Sequence, residues 1–376
     1  MKNKFPLPRI SDCLNALSGG VYFVSFDQAY FFQVPLPTKD DKNKTARRGQ
    51  FCFKVLPMGP SNSPSVFACL MALVLHGLTY LCCLAFIDDC IVTSRSFEDH
   101  VRHVELVLQR FHQANLKLKP GKCQLFQSNL KFLGHIVSSG GVEVNPDKVA
   151  TILAWPFAQN ITELRGFIDI CNYYRSFCPS FSTIIEPLTE MLRKDVPIEP
   201  TEERLAAFNA LKAMLSFPPA LAMSTDDEAW VVDVDCSAFG VGAVAQQWQN
   251  GKLKVIEYAS KTLNRAERFY CATRRKLLAM IFALKHFRFY LLGNYFVCRV
   301  DHMVLKYNQV TPEPLGQQAR FLDFLAEFDS ELQFRPGRKH TNCDSLSRVR
   351  PCKVDGGTPV NSVIGCLLYT SPSPRD

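Results

Sequence analysis

The sequence contains no Cys-x-x-Cys pair, although 15 of its 376 residues are cysteines. It has only eight histidines, and the pair His100 and His103 has no matching cysteine partners at a zinc-binding spacing. We therefore interpret this pair as part of a helix surface and predict no zinc site. The odd number of cysteines argues against a disulfide scaffold. It favours free thiols in a reducing compartment.

Acidic residues are in the minority: 35 Asp and Glu face 43 Lys and Arg, which gives a net charge of +8. The positive excess is spread along the chain rather than gathered in a tail. Such a distribution fits a polyanionic partner without identifying one. The basic residues that could follow a nucleic-acid backbone, each also compatible with a solvated surface, are Arg47, Arg48, Lys117, Lys119, Lys122, Arg335, Arg338 and Lys339.

One apolar run, residues 70–87, has the length of a membrane span, but Gly77 divides it. The first part, residues 65–76, has a helical pattern. The second part, residues 78–87, has the pattern of a strand and leads directly into a pair of acids. The sequence therefore predicts a core helix followed by a core strand rather than a membrane span.

The pair of acids is Asp88 and Asp89, and it lies between the short apolar runs 84–87 and 90–92. Apolar strands on both sides of a tight turn predict a hairpin that holds two carboxylates close together. This proximity is costly unless a cation neutralises the charges, and a divalent metal ion would do so. Because Asp is common in turns, a plain structural turn is the better explanation of the pair taken alone.

Residues 1–145 show short alternating strands and helices, which predicts an α+β unit. A strand is expected over residues 21–26, ending at Asp27, and a hairpin with a glycine-rich turn over residues 132–144. The helix after the acid hairpin is expected to bury one face, formed by Val104, Val107, Leu108 and Phe111.

Residues 146–219 have a helical pattern. Thr162 and Thr201 are the predicted N-caps of two helices. Their expected buried faces are Leu164, Phe167, Ile168 and Cys171 in the first helix, and Leu205, Phe208, Lys212 and Leu215 in the second.

A second α/β domain is expected over residues 220–348, after a boundary at Pro218 and Pro219. Residues 230–235 alternate between apolar and polar side chains, as in a strand, and residues 240–246 supply its partner. A long helix with an apolar face is predicted over residues 273–291.

Six motifs follow one another in the first region: FPLPRISDCLNAL, FVSFDQAYFFQVPL, FCFKVLPMGPSNSPSVF, AFIDDCIVTS, KLKPGKCQLF and KFLGHIVSSGGVEVNPDKV. In this order they resemble the reverse transcriptase of gypsy-type long-terminal-repeat retrotransposons. Downstream, WPFAQNITELRGFIDICNYYRSFCPSF resembles the connection segment of that family, and VVDVDCSAFGVGAV, CRVDHMVL and RPGRKHTNCDSLSR resemble its ribonuclease H domain. The resemblance covers about residues 4–348.

This resemblance implies an α+β fold with a right-hand polymerase palm and thumb in residues 1–145, a helical connection in residues 146–219 and an α/β ribonuclease H-like domain in residues 220–348. It implies an RNA-directed DNA polymerase that binds an RNA template, a DNA primer, their RNA/DNA hybrid and deoxynucleoside triphosphates. Nucleotide addition of this type uses two divalent ions about 3.5–4 Å apart. We expect Mg²⁺, with Mn²⁺ as the alternative.

Family knowledge implies that Asp27 and Asp88 bind the metal ions most directly and that Asp89 assists them. Residues 132–135, Phe-Leu-Gly-His, match the hairpin that positions the primer.

Other positions match the nucleotide pocket of the family. Met58 and Gly59 belong to the loop that lines this pocket, and Lys122 occupies the position of a lysine that protonates the departing pyrophosphate, although a surface salt bridge explains it as well. The motif after the first catalytic acid is one residue shorter than in relatives. The aromatic residue that blocks a ribose 2′ hydroxyl is therefore either Phe31 or Phe32, and the shortening can itself disturb the pocket.

The ribonuclease H motifs depart from the family at one residue. The family holds its metal ions with an Asp-Glu-Asp-Asp set, whose three aspartates correspond to Asp235, Asp301 and Asp344. Lys276 stands where the glutamate belongs, and a cation there repels a metal ion. The alternative is that Glu267 or another nearby residue supplies the missing carboxylate. We therefore expect weak or absent RNA cleavage.

The chain also departs from the family in extent. The upstream fingers segment, the protease and the integrase of such polyproteins are not expected within it. The end of residues 349–376, LLYTSPSPRD, resembles translated cloning or sequencing adapter, and the fold prediction stops at about Arg350. The alternative to an active enzyme is an inactive relic that at most binds an RNA/DNA hybrid.

Overall fold

The computed structural model describes residues 5–28, 53–56, 62–225, 228–301, 320 and 323–335. The chain divides into two compact units, Met1–Asn145 with Met223–Thr225, and Pro146–Ala222 with Asp226–Asp376. Among the described residues, no helix is long and apolar enough to cross a membrane.

The first unit is built on a four-stranded sheet in the order β2-β3-β1-β4. Its antiparallel strands are β1 (Tyr22–Asp27), β2 (Cys83–Phe86), β3 (Asp89–Ser94) and β4 (Gln124–Gln127). Its helices are α1 (Ile10–Asn15), α2 (Ser63–Val74) and α3 (Phe97–Gln113). Side chains of α2 and α3, among them Phe67 and Val107, pack with Val24 and Val92 of the central strands in one apolar core.

Helix α3 begins directly after its N-cap residue, Ser96. The hydroxyl of Ser96 accepts a hydrogen bond from the backbone N–H of Asp99, and acids occupy the first turn, where the helix dipole favours them. Val104, Val107 and Phe111 are buried as predicted. Leu108 is 39% exposed, so the prediction that it lies on the buried face is wrong.

The prediction that His100 and His103 form a helix surface is also wrong, because His100 is fully buried. Both imidazoles meet the hydroxyl of Ser94 on the neighbouring strand, at 3.1 Å from His100 Nδ1 and 2.7 Å from His103 Nδ1. The ring of Tyr22 lies 6.0 Å from that of His100. Packing of α3 against β3 therefore turns the first histidine inward.

The strand predicted over residues 78–87 begins only at Cys83. Before it the chain makes turns, in which the backbone N–H groups of Leu78 and Thr79 both donate to Leu75 O. Gly77 has a φ of 80°, a conformation that glycine adopts without a steric cost. The apolar run is therefore divided into a helix, a compact turn and a short strand.

Three more strands, β5 (Asn129–Phe132), β6 (His135–Ser138) and β7 (Gly141–Val144), form a separate antiparallel meander. The predicted glycine-rich hairpin is confirmed as β6 and β7. Phe132, however, belongs to the preceding strand. Leu133 and Gly134, with φ of 45° and 72°, make a two-residue turn that breaks the expected strand.

The second unit opens with four helices, α4 (Pro146–Ala154), α5 (Ile161–Tyr173), α6 (Phe181–Glu190) and α7 (Glu202–Ser216). The N-cap of α5 is Asn160, whose side chain accepts from Glu163 N, so the prediction of Thr162 is wrong. Thr201 caps α7 as predicted. The cap depends on where the chain enters the helix, and both asparagine and threonine suit that position.

The expected buried face of α5 is confirmed, while that of α7 is only partly correct. Leu205 is 37% exposed. Lys212 lies on the inner side because its ammonium donates hydrogen bonds to Leu153 O, at 2.9 Å, and to Trp155 O. It thereby closes the carboxyl end of α4, where unpaired carbonyl groups accept cations.

A five-stranded sheet in the order β10-β9-β8-β11-β12 completes the second unit. The strands are β8 (Trp230–Cys236), β9 (Gly240–Gln249), β10 (Lys252–Thr262), β11 (Phe296–Val300) and β12 (Ser330–Phe334). Strands β8, β11 and β12 are parallel neighbours, whereas β9 and β10 run antiparallel. The helices are α8 (Arg265–Arg268), α9 (Ala272–His286) and α10 (Arg288–Leu291).

The helix predicted over residues 273–291 is divided at Phe287, which ends α9 and precedes α10. Phe287 and Leu291 are both fully buried, so the break keeps both side chains in the core. Strand β8 is central and buried on both faces, including the polar Asp233, which differs from the expected alternation of buried and exposed side chains.

Candidate active sites

Asp27 and Asp89 are direct partners on the antiparallel strands β1 and β3. The neighbouring hairpin has a two-residue loop, Ile87 and Asp88, because Phe86 pairs with Asp89. Ile87 has a φ of 56°, which is strained for a β-branched residue. The predicted hairpin is thus confirmed, and it brings the three predicted acids to one end of the sheet.

The electrostatics of Asp89 reflect this concentration of negative charge. Asp89 is partly exposed to solvent, yet the surrounding protein desolvates its carboxyl group. Asp88 and Asp27 also repel its negative charge. Together these effects raise the pKa of Asp89 to about 6, while Lys122 opposes the rise. A cation beside these carboxylates would relieve the repulsion.

Lys122 supplies such a cation. Its Nζ lies 3.1 Å from Asp27 Oδ2, and this hydrogen bond raises the pKa of the lysine. Its short helical turn, Pro120–Lys122, is tied to β1 because Lys119 N donates to Asp27 O over 3.0 Å. Lys122 therefore belongs to the site, and a partner 95 residues away was not evident from the sequence.

The donor chemistry at this end of the sheet suits a hard cation, because carboxylate oxygens are the ligands that Mg²⁺ prefers. Within the described ranges, no group of three or more His, Cys, Asp or Glu side chains is already arranged around a metal position. One oxygen of Asp27 is engaged by Lys122. The carboxylates therefore have the chemistry to bind a metal ion, and an ion bound to Oδ2 of Asp27 would displace Lys122.

A second set of acids lies at the ends of two parallel strands in the other unit. Asp233 on β8 pairs with Arg299 on β11, so two residues further along Asp235 and Asp301 come to the same edge of the sheet. Asp235 is 5% exposed. Parallel strands thus place these two acids together, as the sequence predicted.

Lys276 is the fifth residue of α9, and its ammonium donates to Asp301 Oδ1 at this edge of the sheet. The two side chains are only 15% and 18% exposed. Lys276 and Arg275 also counteract the rise in the pKa of Cys236, which burial and Asp235 bring to about 11. The ammonium of Lys276 therefore meets the acids where a glutamate was expected, and the charge of Arg275 is close enough to act on Cys236.

Glu267 does not take the place of the expected glutamate, because its carboxylate is engaged by other groups. Its carboxylate accepts from Lys261 Nζ at 2.6 Å and from Asn264 N at 2.9 Å, as part of the capping box of α8.

A divalent ion about 4 Å from an ammonium would be repelled by roughly 8 kcal/mol at an effective dielectric constant of about 20. The residues at the Asp235–Asp301 corner therefore do not fit a metal ion.

Arg275 is the residue of this site that sequence reasoning missed. The signal was the basic run Arg274, Arg275 and Lys276 at the start of a helix, where acids are favoured and none is present.

The two units contain matches to different protein families. Residues 2–137 match the family described as reverse transcriptase (RNA-dependent DNA polymerase), and residues 225–328 match the RNase H-like domain found in reverse transcriptase. The chain therefore contains a reverse transcriptase domain and an RNase H-like domain.

Three curated relatives span both domains. The chain is 33% identical over 352 residues to the retrovirus-related Pol polyprotein from transposon 297 of Drosophila melanogaster, covering 93% of the chain and 33% of that protein. It is 32% identical to the transposon Tf2-3 polyprotein of Schizosaccharomyces pombe over 356 residues, which cover 92% of the chain and 27% of the relative. For the Pol polyprotein from Drosophila transposon opus the values are 30%, 92% and 36%. The chain thus spans about a third of the length of these relatives.

Two solved structures have the same fold. The foamy viral protease-reverse transcriptase in complex with RNA/DNA hybrid superposes with a TM-score of 0.77 at 20% identity, covering 95% of the chain and 49% of that protein. A form of that enzyme in complex with double-stranded DNA gives 0.77 at 21% identity, with coverage of 88% and 60%. The predicted fold class, a palm and thumb, a helical connection and an α/β ribonuclease H-like domain, is confirmed.

Five of the predicted site residues lie outside the described residues. In the reverse transcriptase domain these are Phe31, Phe32, Met58 and Gly59, and in the RNase H-like domain the residue is Asp344. Their roles stay predictions.

Proposed function

We propose that the chain is an RNA-directed DNA polymerase of a gypsy-type retrotransposon, which extends a DNA primer on an RNA template with deoxynucleoside triphosphates. The observation that carries this proposal is the pairing of Asp27 with Asp89 beside the tight turn that holds Asp88, within a reverse transcriptase domain. Such a cluster of carboxylates at the end of a sheet has the chemistry needed to hold cations next to a triphosphate.

Asp27 and Asp88 are assigned as the direct ligands of Mg²⁺ or Mn²⁺, and Asp89 as their assistant. Two bound divalent ions would stabilise the charge on the attacking and leaving oxygens of phosphoryl transfer. Lys122, held within the site by Asp27, is assigned as the donor of a proton to the departing pyrophosphate.

The nucleotide pocket is assigned from the family resemblance. Met58 and Gly59 line it, and Phe31 or Phe32 excludes a ribose 2′ hydroxyl.

The RNase H-like domain is proposed to cleave RNA weakly or not at all. The contact of Lys276 with Asp301 supports this assignment, because it puts positive charge where RNA cleavage needs a metal ion. We expect Lys276→Glu to increase cleavage of the RNA strand of an RNA/DNA hybrid, while Lys285→Glu, the same change at an exposed position of α9, leaves it unaltered. Equal cleavage by the unmodified protein and the Lys276→Glu variant would contradict this assignment.

Primer extension on an RNA template in the presence of Mg²⁺ tests the polymerase. The Asp88→Asn, Asp89→Asn double variant is expected to lose extension. A matched control, Glu143→Gln with Asp169→Asn, changes two exposed acids on other elements and is expected to retain it. Extension that survives in the Asp88 and Asp89 variant would refute the assignment of these residues.

An inactive relic that binds an RNA/DNA hybrid is the second candidate, favoured by the contact of Lys276 with Asp301. Hybrid binding by the unmodified protein without any primer extension would support the relic. Extension that depends on Asp88 and Asp89 would exclude it.

A further inference from the structure

The described residues include two contacts of the same kind, each between a lysine and an acid of a predicted metal site. Lys122 meets Asp27 in the reverse transcriptase domain, and Lys276 meets Asp301 in the RNase H-like domain. The side chain of Lys122 is 57% exposed and extends from a short turn. That of Lys276 is 15% exposed and extends from a fifteen-residue helix. The first lysine is free to move into solvent, whereas the second is enclosed.

Lys276 is held by acids rather than by its helix. It is the fifth residue of α9, in the N-terminal half of the helix, where the dipole does not attract a cation. The attraction that holds the ammonium comes from the strand ends, where Asp301 accepts its hydrogen bond and Asp235 lies alongside. Removal of one partner from such an enclosed pair leaves an uncompensated charge.

Enclosed acids are costly without a neighbouring positive charge, and Lys276 supplies one to Asp301. We propose that Lys276 is a built-in counter-ion, whose ammonium takes the place of a divalent cation between Asp235 and Asp301, so that the RNase H-like domain is stable and metal-free at this corner. This inference deepens the proposed loss of RNA cleavage and rests on it in treating the acids as a former metal site. It assigns Lys276 a structural role that a merely damaged site would not have.

The count of bound Mn²⁺ tests this role without any measurement of polymerase or nuclease activity. The parent protein is the full chain with Asp27→Asn, Asp88→Asn and Asp89→Asn, so that only the RNase H-like acids remain as candidate ligands. Electron paramagnetic resonance detects free Mn²⁺, and the loss of that signal gives the bound ion. The parent is expected to bind no Mn²⁺, and adding Lys276→Glu is expected to create at least one site that adding Asp301→Asn abolishes.

Lys285→Glu in the same parent is the matched control, since it makes the same charge change at an exposed position of α9. It is expected to bind no Mn²⁺. The proposal is overturned if the parent itself binds Mn²⁺ in an Asp301-dependent way. It is equally overturned if neither the parent nor the Lys276→Glu variant binds the ion, because the lysine is then not what excludes it.

Thermal unfolding of a second variant keeps the test valid if Lys276→Glu fails to fold. Lys276→Gln removes the charge and keeps a polar side chain of similar reach. In the parent background it is expected to lower the Tm in metal-free buffer and to regain part of that loss when Mn²⁺ is added, whereas the Tm of the parent does not respond to Mn²⁺. An unchanged Tm in the Lys276→Gln variant would refute the counter-ion role. A failure of the polymerase proposal would affect none of these readings.

Discussion

Lys122 Nζ lies 3.1 Å from Asp27 Oδ2, although the two residues are 95 positions apart in the chain. The contact joins the turn Pro120–Lys122 to the end of β1. Through this contact Lys122 acts on the site in two ways. Its ammonium competes with a metal ion for Asp27, and the contact keeps the proposed proton donor close to the expected position of the reaction.

These two effects predict opposite changes in the Lys122→Met variant. Binding of Mn²⁺ to the reverse transcriptase domain is expected to become tighter, because Asp27 no longer has a competing partner. The rate of primer extension at saturating Mn²⁺ is expected to fall by at least about tenfold, since general acids contribute roughly 10²–10⁴-fold. Mn²⁺ titration and single-turnover extension measure the two effects separately.

The control for that prediction is Lys148→Met, the same change at an exposed lysine of α4. Its extension rate is expected to stay near that of the unmodified protein. Tighter metal binding without slower extension would leave Lys122 as a counter-ion only.

The buried face of α3 predicts a large difference between two neighbouring apolar residues. Phe111 is 2% exposed, and its ring meets that of Phe26 edge-on at 6.0 Å. Phe111→Ala is expected to lower the unfolding free energy by about 3–5 kcal/mol. Leu108→Ala, at a position that is 39% exposed, is expected to cost much less. Urea unfolding of both variants measures the difference, and equal losses would contradict the assigned face.

The N-cap of α5 predicts that Asn160 matters and Thr162 does not. The Asn160 side chain accepts from Glu163 N at 2.9 Å, so Asn160→Ala is expected to lower the unfolding free energy by about 1 kcal/mol. Thr162→Ala, within the helix, is expected to be near neutral, because alanine is the better helix former. Denaturant unfolding distinguishes the two, and a larger loss at Thr162 would restore the cap that the sequence predicted.

The burial of His100 predicts a loss of stability in acid. Burial, together with the neighbouring His103, lowers the pKa of His100 in the folded protein. The unfolded chain then binds a proton first, so the unfolding free energy falls as the pH drops below about 6.5. His100→Asn cannot take up that proton and is expected to show a smaller fall between pH 7.5 and 5.5. An identical fall in both proteins would rule out His100 as its source.

Local signals determined much of what the sequence predicted correctly. The apolar runs around Asp88 and Asp89 specify a hairpin because strand and turn preferences act over a few residues. Thr201 caps its helix for the same reason. The predictions failed where two local solutions were equally good, as with the caps Asn160 and Thr162.

By itself, the sequence determined the order of the reverse transcriptase and RNase H-like domains and the acids at the strand ends, and the family resemblance predicted a glutamate at the position of Lys276. Only the tertiary structure decided that His100 is buried, that Lys122 lies on Asp27 and that Lys276 lies on Asp301. These contacts join residues from different elements, and no periodicity along the chain encodes them. They arise when packing of the apolar faces brings the elements together, and the charges then pair with whichever partner the fold has placed within reach.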